Sequence, residues 1–236
     1  MVYIRKSEER GITKTDWLNS KHTFSFGHYY DENHVGFGSL LVINEDIVKP
    51  NAGFGKHPHH DMEIISYVLE GVLEHKDSLG TGSIILPGDV QRMSAGIGIT
   101  HSEFNPQKEV PVHFLQIWIT PDKLGLTPSY EQKSFLKKRE SGQLTLLASH
   151  DGYLDSLILH QDVNMFVLDL NADEKFTFLV EEGRMIWVQI VRGSVQLNQH
   201  ILQQGDGIGI KNETSVNFQG KEKVEILIFD LINIKD

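Results

Sequence analysis

Residues 54–71 read FGKHPHHDMEIISYVLEG, and two patterns meet in this stretch. Its second half, EIISYVLEG, is an apolar and β-branched run closed by glycine, the mark of a short strand ending in a tight turn. Its first half sets three imidazoles, His57, His59 and His60, around a proline. In a strand, residues i and i+2 share a face. His57 and His59 therefore project together, and His60 points to the other side. By strict alternation Glu63 falls on the face of His57 and His59.

Strand-like runs of similar length recur along the chain: GSLLVIN (38–44), GSIILPGD (82–89), VHFLQIWIT (112–120), RMIWVQIVRG (184–193) and VEILIFDLI (224–232). Glycine, proline, asparagine or aspartate bounds them, and helical periodicity is weak throughout. The fold class expected is all-β, a barrel or sandwich. PSYEQKSFLKKRES (128–141) reads equally as a turn of helix or as a strand and linker.

A faint internal repeat divides the chain. SYVLEGVLEH (66–75) around Gly71 resembles WVQIVRGSVQLN (187–198) around Gly193. Each is followed by a Gly-Asp turn, Gly88-Asp89 and Gly205-Asp206, and each half closes on an apolar strand. At 236 residues the chain suits two units of about 110 to 120 residues, each able to bury a core. The expected boundaries are 1–132 and 133–236, with TPDKLGLTPSYEQ (120–132) as the crossing.

Composition removes several classes of function. There is no cysteine, so disulfides, thiolate metal sites and thiol catalysis are excluded. The formal charge is −10, and KKR (137–139) is the longest basic run. Such a chain repels a phosphate backbone, and direct binding of nucleic acid is not expected. No apolar run approaches the roughly 18 residues of a membrane helix. MVYIRKSEERGIT has no apolar segment of the kind that secretion signals carry. A cytoplasmic location and no membrane partner are expected.

A second pair at i and i+2 occurs in GITHSEFN (98–105): His101 and Glu103. Two strands that each offer two ligands on one face can surround a metal when they meet in a β-fold. Three imidazoles and a carboxylate suit borderline divalent ions, not calcium or magnesium. One divalent transition metal is expected, iron(II) first, with manganese, cobalt, nickel, copper or zinc as alternatives. The remaining histidines read as surface or hydrogen-bonded residues. Within HTFSFGHYYDENH (22–34), one or two of His22, His28 and His34 would line the approach, and Phe24, Phe26, Tyr29 and Tyr30 would supply aromatic walls. Transferring the spacings of His57, His59 and His101 onto the second half lands on Leu179, Glu181 and Phe218, so no second metal site is expected there.

His57-Pro58-His59, Glu63 and Gly71 resemble the first cupin motif, and Gly88, Gly96, His101 and Asn105 the second. Ser94 stands where a proline is usual, and two extra residues precede His101. With these departures, FGKHPHHDMEIISYVLEG and MSAGIGITHSEFNP resemble the pirin family more specifically, through most of residues 20–135. The resemblance implies a bicupin: two tandem cupin (jelly-roll-like) β-barrels, with metal in the N-terminal one, on His57, His59, His101 and Glu103. Many other cupins use the glutamate of the first motif. Glu63 is thus an alternative ligand, a partner that orients an imidazole, or a hydrogen-bonded residue of the barrel.

Several pirins are quercetin 2,3-dioxygenases, and the resemblance implies that activity. A flavonol would meet dioxygen at the metal with Glu103 as general base, leaving a depside and carbon monoxide. The alternative it implies is a regulator that contacts a protein partner, with the metal as a structural or redox element. Most family members act as monomers.

Overall fold

The computed structural model describes residues 2–233. The chain divides into two compact units: residues 11–136 with 157–161, and residues up to Arg10 with 137–156 and the chain from Asp162.

The first unit has two sheets. The larger is seven-stranded and antiparallel, in the order Ser129–Ser134, Asp89–Ser94, Glu63–Glu70, Val112–Ile119, Leu40–Val48, Leu18–His22, Gly11–Lys14. The smaller runs Gly53–His59, Ile99–Phe104, Leu73–Asp77, Gly82–Ile85. From Leu40 onward the chain crosses repeatedly between them. Their inner faces share a core in which Val68 and Phe114 of the larger sheet meet Leu73 and Ile85 of the smaller. The sheets remain separate, so the unit is a jelly roll and not a closed barrel.

Parity along each strand decides what faces inward. On the larger sheet the inner positions are even: Leu18, Ser20 and His22; Asn44, Asp46 and Val48; Ile64, Ser66 and Val68; Phe114, Gln116 and Trp118. On the smaller sheet they are odd at His57 and His59, His75, Ile99, His101 and Glu103, and a register shift turns the even Phe54 inward as well. The strand Glu63–Glu70 is buried on both faces through Leu69, which is why it reads as a continuous apolar run and not as an alternation. The ambiguous stretch 128–141 resolves into the edge strand Ser129–Ser134 and a turn of 3₁₀ helix, Leu136–Lys138.

The second unit repeats the plan. One sheet takes Val2–Arg5, Gly207–Lys211, Arg184–Arg192, Val224–Ile232, Val163–Leu170 and Leu144–Ser149 in that order, and another takes Lys175–Leu179, Ser215–Gly220, Ser194–Leu197 and His200–Gln203. Its core is aliphatic and aromatic, built from residues such as Ile186, Val188, Phe218, Ile226 and Ile228. The sequence repeat extends to backbone detail. Gly71 and Gly193 have φ of 77° and 72°, which glycine adopts without steric cost. A Cβ on Gly71 would overlap the Pro111 carbonyl beside Val112, and one on Gly193 the Lys223 carbonyl beside Val224. Each glycine thus lets a hairpin pass against the start of the strand that closes its unit. Among the described residues no helix is long and apolar enough to cross a membrane.

Candidate metal centre

The strands Gly53–His59 and Ile99–Phe104 pair antiparallel, with His101 opposite His57 and Ile99 opposite His59. This register places three imidazoles on one inward face. Ring centroids are 4.8 Å apart for His57 and His59, 4.5 Å for His57 and His101, and 4.9 Å for His59 and His101. Their ligand atoms all lie within 4.8 Å of one another. The His57 and His101 Nε2 atoms approach to 3.1 Å. His57 Nδ1 donates to the Gly55 carbonyl at 2.8 Å, which fixes the tautomer and leaves Nε2 with its lone pair toward the common point.

The electrostatics favour the neutral form of two of these imidazoles. Burial, together with the neighbouring imidazoles, pushes His101 down to about 2, and burial with His57 pushes His59 down to about 4. Neutral imidazole is the form that binds a metal. Three imidazole nitrogens converging on one point is an arrangement that a divalent transition ion fits.

The paired strand carries one extra residue between Phe54 and His57, the partners of Glu103 and His101, while His101 and Glu103 keep plain alternation and share the buried face. Glu103 is 2% exposed. Its Oε1 accepts from Ser66 Oγ at 2.8 Å and its Oε2 from Gln116 Nε2 at 2.5 Å. Burial raises this carboxyl to about 7 against the pull of both hydrogen bonds. Glu103 lines the same cavity as the triad, but the group of ligand atoms within 4.8 Å consists of the three imidazoles.

Glu63 is placed elsewhere. Strict alternation from His59 fails because the chain turns at 60–62, where Asp61 has φ of 47°. Parity is reset there: Ile64 lines the cavity and Ser66 reaches Glu103, so Glu63 faces the opposite side of its sheet. Its buried carboxylate lies 3.2 Å from His160 Nδ1 and 4.0 Å from Arg92 Nε. It orients no imidazole of the triad.

The cavity beside the triad has a volume of 190 Å³. His22 and His28 line it, whereas His34 sits 3.0 Å from Asp31. Of the four aromatics expected as walls, Phe26 lines the cavity, Phe24 is wholly buried and Tyr30 is 76% exposed. Tyr29 stacks at 6.2 Å on His22. Phe54 and Trp118 complete the walls with Phe26, Trp118 standing edge-on to His59 at 4.9 Å. Sequence reasoning missed these two, and with them Asn44, Asp46 and Gln116. The signal was present: polar residues at even positions of VINEDIV and VHFLQIWI, on the face that otherwise carries the core.

Behind His101 lies a buried pair. His75 Nε2 is 2.9 Å from Asp77 Oδ2, neither side chain exposed, and the His75 ring is 5.4 Å from that of His101. His60, as its parity required, points outward beside Asp61. In the second unit, Phe218 occupies the apolar core and Leu179 is exposed.

Comparison with known proteins gives the same architecture. Residues 4–119 match the family described as Pirin, and residues 146–231 match the quercetinase C-terminal cupin domain. The chain is 44% identical over 231 residues to a quercetin 2,3-dioxygenase of Escherichia coli (strain K12), an alignment covering 98% of this chain and 99% of that protein. Among solved structures it resembles YhhW from Escherichia coli, at a TM-score of 0.96 and 42% identity over the whole of both chains. It resembles equally the bacterial pirin YhhW in complex with nickel(II), at a TM-score of 0.95 and 42% identity, covering 99% of this chain and 100% of that one.

Proposed function

The chain belongs to the pirin family, and from that premise we propose that it is a metal-dependent dioxygenase that cleaves a flavonol such as quercetin at its 2,3-bond, releasing carbon monoxide and a depside. The observation that carries this reading is the convergence of three imidazoles on the wall of an aromatic-lined cavity, with a buried carboxyl beside them. A role in protein contact alone needs no such enclosed space.

His57, His59 and His101 would hold one divalent transition metal, iron(II) by expectation, with nickel(II) found in the YhhW complex. Such an ion, when bound, lowers the pKa of a coordinated hydroxyl and supports chemistry with dioxygen. Glu103 is the fourth ligand and the base in this proposal. Ser66 and Gln116 occupy one lone pair on each carboxylate oxygen, which leaves others free. A carboxyl poised at about 7 is matched to taking the flavonol 3-hydroxyl proton near neutral pH. Phe26, Phe54 and Trp118 would hold the flat rings by contact with their faces and edges. The 190 Å³ space is below the about 300 Å³ at which pockets begin to enclose a drug-sized ligand. The substrate is therefore gripped by one end, with the rest at the cavity mouth.

The test is turnover resolved by metal. Protein stripped and reloaded separately with iron(II), manganese, cobalt, nickel, copper or zinc is mixed with quercetin, in air and without oxygen. The expected result is oxygen-dependent loss of flavonol absorbance with release of carbon monoxide, abolished by His101→Ala. Protein that loads each metal and stays inert with all of them overturns the reading.

A further inference from the structure

Opposite the triad, the cavity has a polar wall that the proposed chemistry does not use. The strands Leu18–His22 and Leu40–Val48 pair so that Ser20 faces Asp46 and His22 faces Asn44. All four residues line the cavity. Most of their hydrogen-bonding capacity is committed. His22 engages Thr13 Oγ1 at 2.8 Å through Nε2 and Asn44 Oδ1 at 2.7 Å through Nδ1. The Ser20 hydroxyl donates to the Asp46 carboxyl.

Some of the buried polar atoms left without a partner lie here. Asp46 is 3% exposed, and its Oδ1 has no hydrogen-bond partner. Gln116 Oε1 and Trp118 Nε1 are likewise buried without partners, and both residues line the same cavity. A buried polar atom left unpaired is costly, so folded proteins carry few of them. Three around one cavity mark a site that a ligand's own polar groups complete.

We propose that Asp46 is a specificity-determining residue, whose carboxyl accepts a hydrogen bond from a phenolic hydroxyl of the substrate other than the oxygen offered to the metal. The inference rests on the flavonol reading of the site and narrows it to polyhydroxylated aromatic substrates. The chemistry selects this donor. An ionised Asp46 accepts through its free oxygen, and a protonated one still accepts at the oxygen that does not carry the proton. With Glu103 in the same cavity, the wall disfavours a ligand whose enclosed end carries a carboxylate or phosphate. A neutral hydroxyl on a flat ring fits both the acceptor and the aromatic walls.

The test measures binding without turnover. Nickel-loaded full-length protein, kept free of oxygen, is titrated with quercetin and with 3-hydroxyflavone, which keeps the metal-binding oxygens and lacks the other hydroxyls. Quenching of tryptophan fluorescence reports affinity. Wild-type protein is expected to bind quercetin at least tenfold more tightly. Asp46→Ala should reduce that preference to within threefold while affinity for 3-hydroxyflavone changes less than threefold. Asp46→Asn, which keeps the shape of the side chain, should reduce the preference at least threefold. A wild-type protein without the preference, or variants that both keep it, overturns the inference. A preference that Asp46→Ala abolishes in a protein that never turns over quercetin leaves the inference standing and removes the dioxygenase reading. Turnover with an unchanged preference does the reverse.

Discussion

At the scale of single residues, the proposed site rests on three histidines whose ring nitrogens converge within 4.8 Å. Replacing His101 with alanine removes the most buried of the three. Metal content after dialysis is expected to fall from one ion per chain to below about half, since a lost ligand costs far more than the 10- to 100-fold of a lost supporting hydrogen bond. Retention at full stoichiometry would sink the ligand assignment. Glu103→Gln keeps the hydrogen bond from Ser66 and the volume of the side chain but removes the base. It should keep most of the metal and lose about 10²- to 10⁴-fold in turnover, measured as quercetin loss at saturating metal.

Asp46 gives a prediction in pH. Burial raises its carboxyl to about 7 from 3.8, with Glu103 and Glu45 adding to the effect and Ser20 opposing it. The folded protein thus holds a proton there that the unfolded chain has already released. Between about pH 4 and 7 this group's contribution to stability falls as pH rises. His59 and His101, held low, act in the opposite sense below 6.5, so the comparison is best made between variants. In metal-free protein, the melting temperature of Asp46→Asn relative to wild type should be higher at pH 8 than at pH 5.5, by at least about 3 °C. A difference that does not change with pH would show that the carboxyl is not held protonated.

At the scale of elements, turns decide which parity faces the cavity. The turn at Asp61 resets it between His59 and Glu63, and the extra residue between Phe54 and His57 brings Phe54 to the cavity opposite Glu103. The turn SAGIG (94–98) feeds the His101 strand. Gly96 has φ of 45°, and a Cβ there would overlap the Leu126 carbonyl. Gly96→Ala should cost more than about 2 kcal/mol in chemical denaturation. Gly82→Ala, where a Cβ meets nothing within 4 Å, should stay within about 0.5 kcal/mol. Equal effects would remove the steric account of Gly96.

At the scale of the whole molecule, the first residues of the chain belong to the second unit. Val2–Arg5 pairs with Gly207–Lys211, and Ile4 packs on the second core. Asp206, buried, receives Lys6 Nζ at 2.9 Å and Ser7 N at 2.7 Å. Removing residues 2–10 uncovers a sheet edge and leaves that carboxylate short of partners. Protease resistance of the second unit is expected to drop, with metal content per chain unchanged. Loss of metal with intact second-unit resistance would contradict this division of roles.

The strand runs, the glycines that end them, the repeat and the His57–His59 and His101–Glu103 pairs are all local, because spacing along a strand is enough to put two side chains on one face. That is why the all-β architecture, and the shared face within each pair, could be read from residues alone. What joined His101 to His57 is the register between two strands some forty residues apart in sequence, and no local spacing contains it. The same holds for the residues that sequence reasoning misplaced or missed. Glu63 lost its shared face at a turn that alternation cannot cross, and Trp118, Gln116 and Asp46 entered the cavity only when the larger sheet closed over the smaller one. A side chain's parity belongs to its own strand, but what it faces is chosen by the packing of one sheet on another.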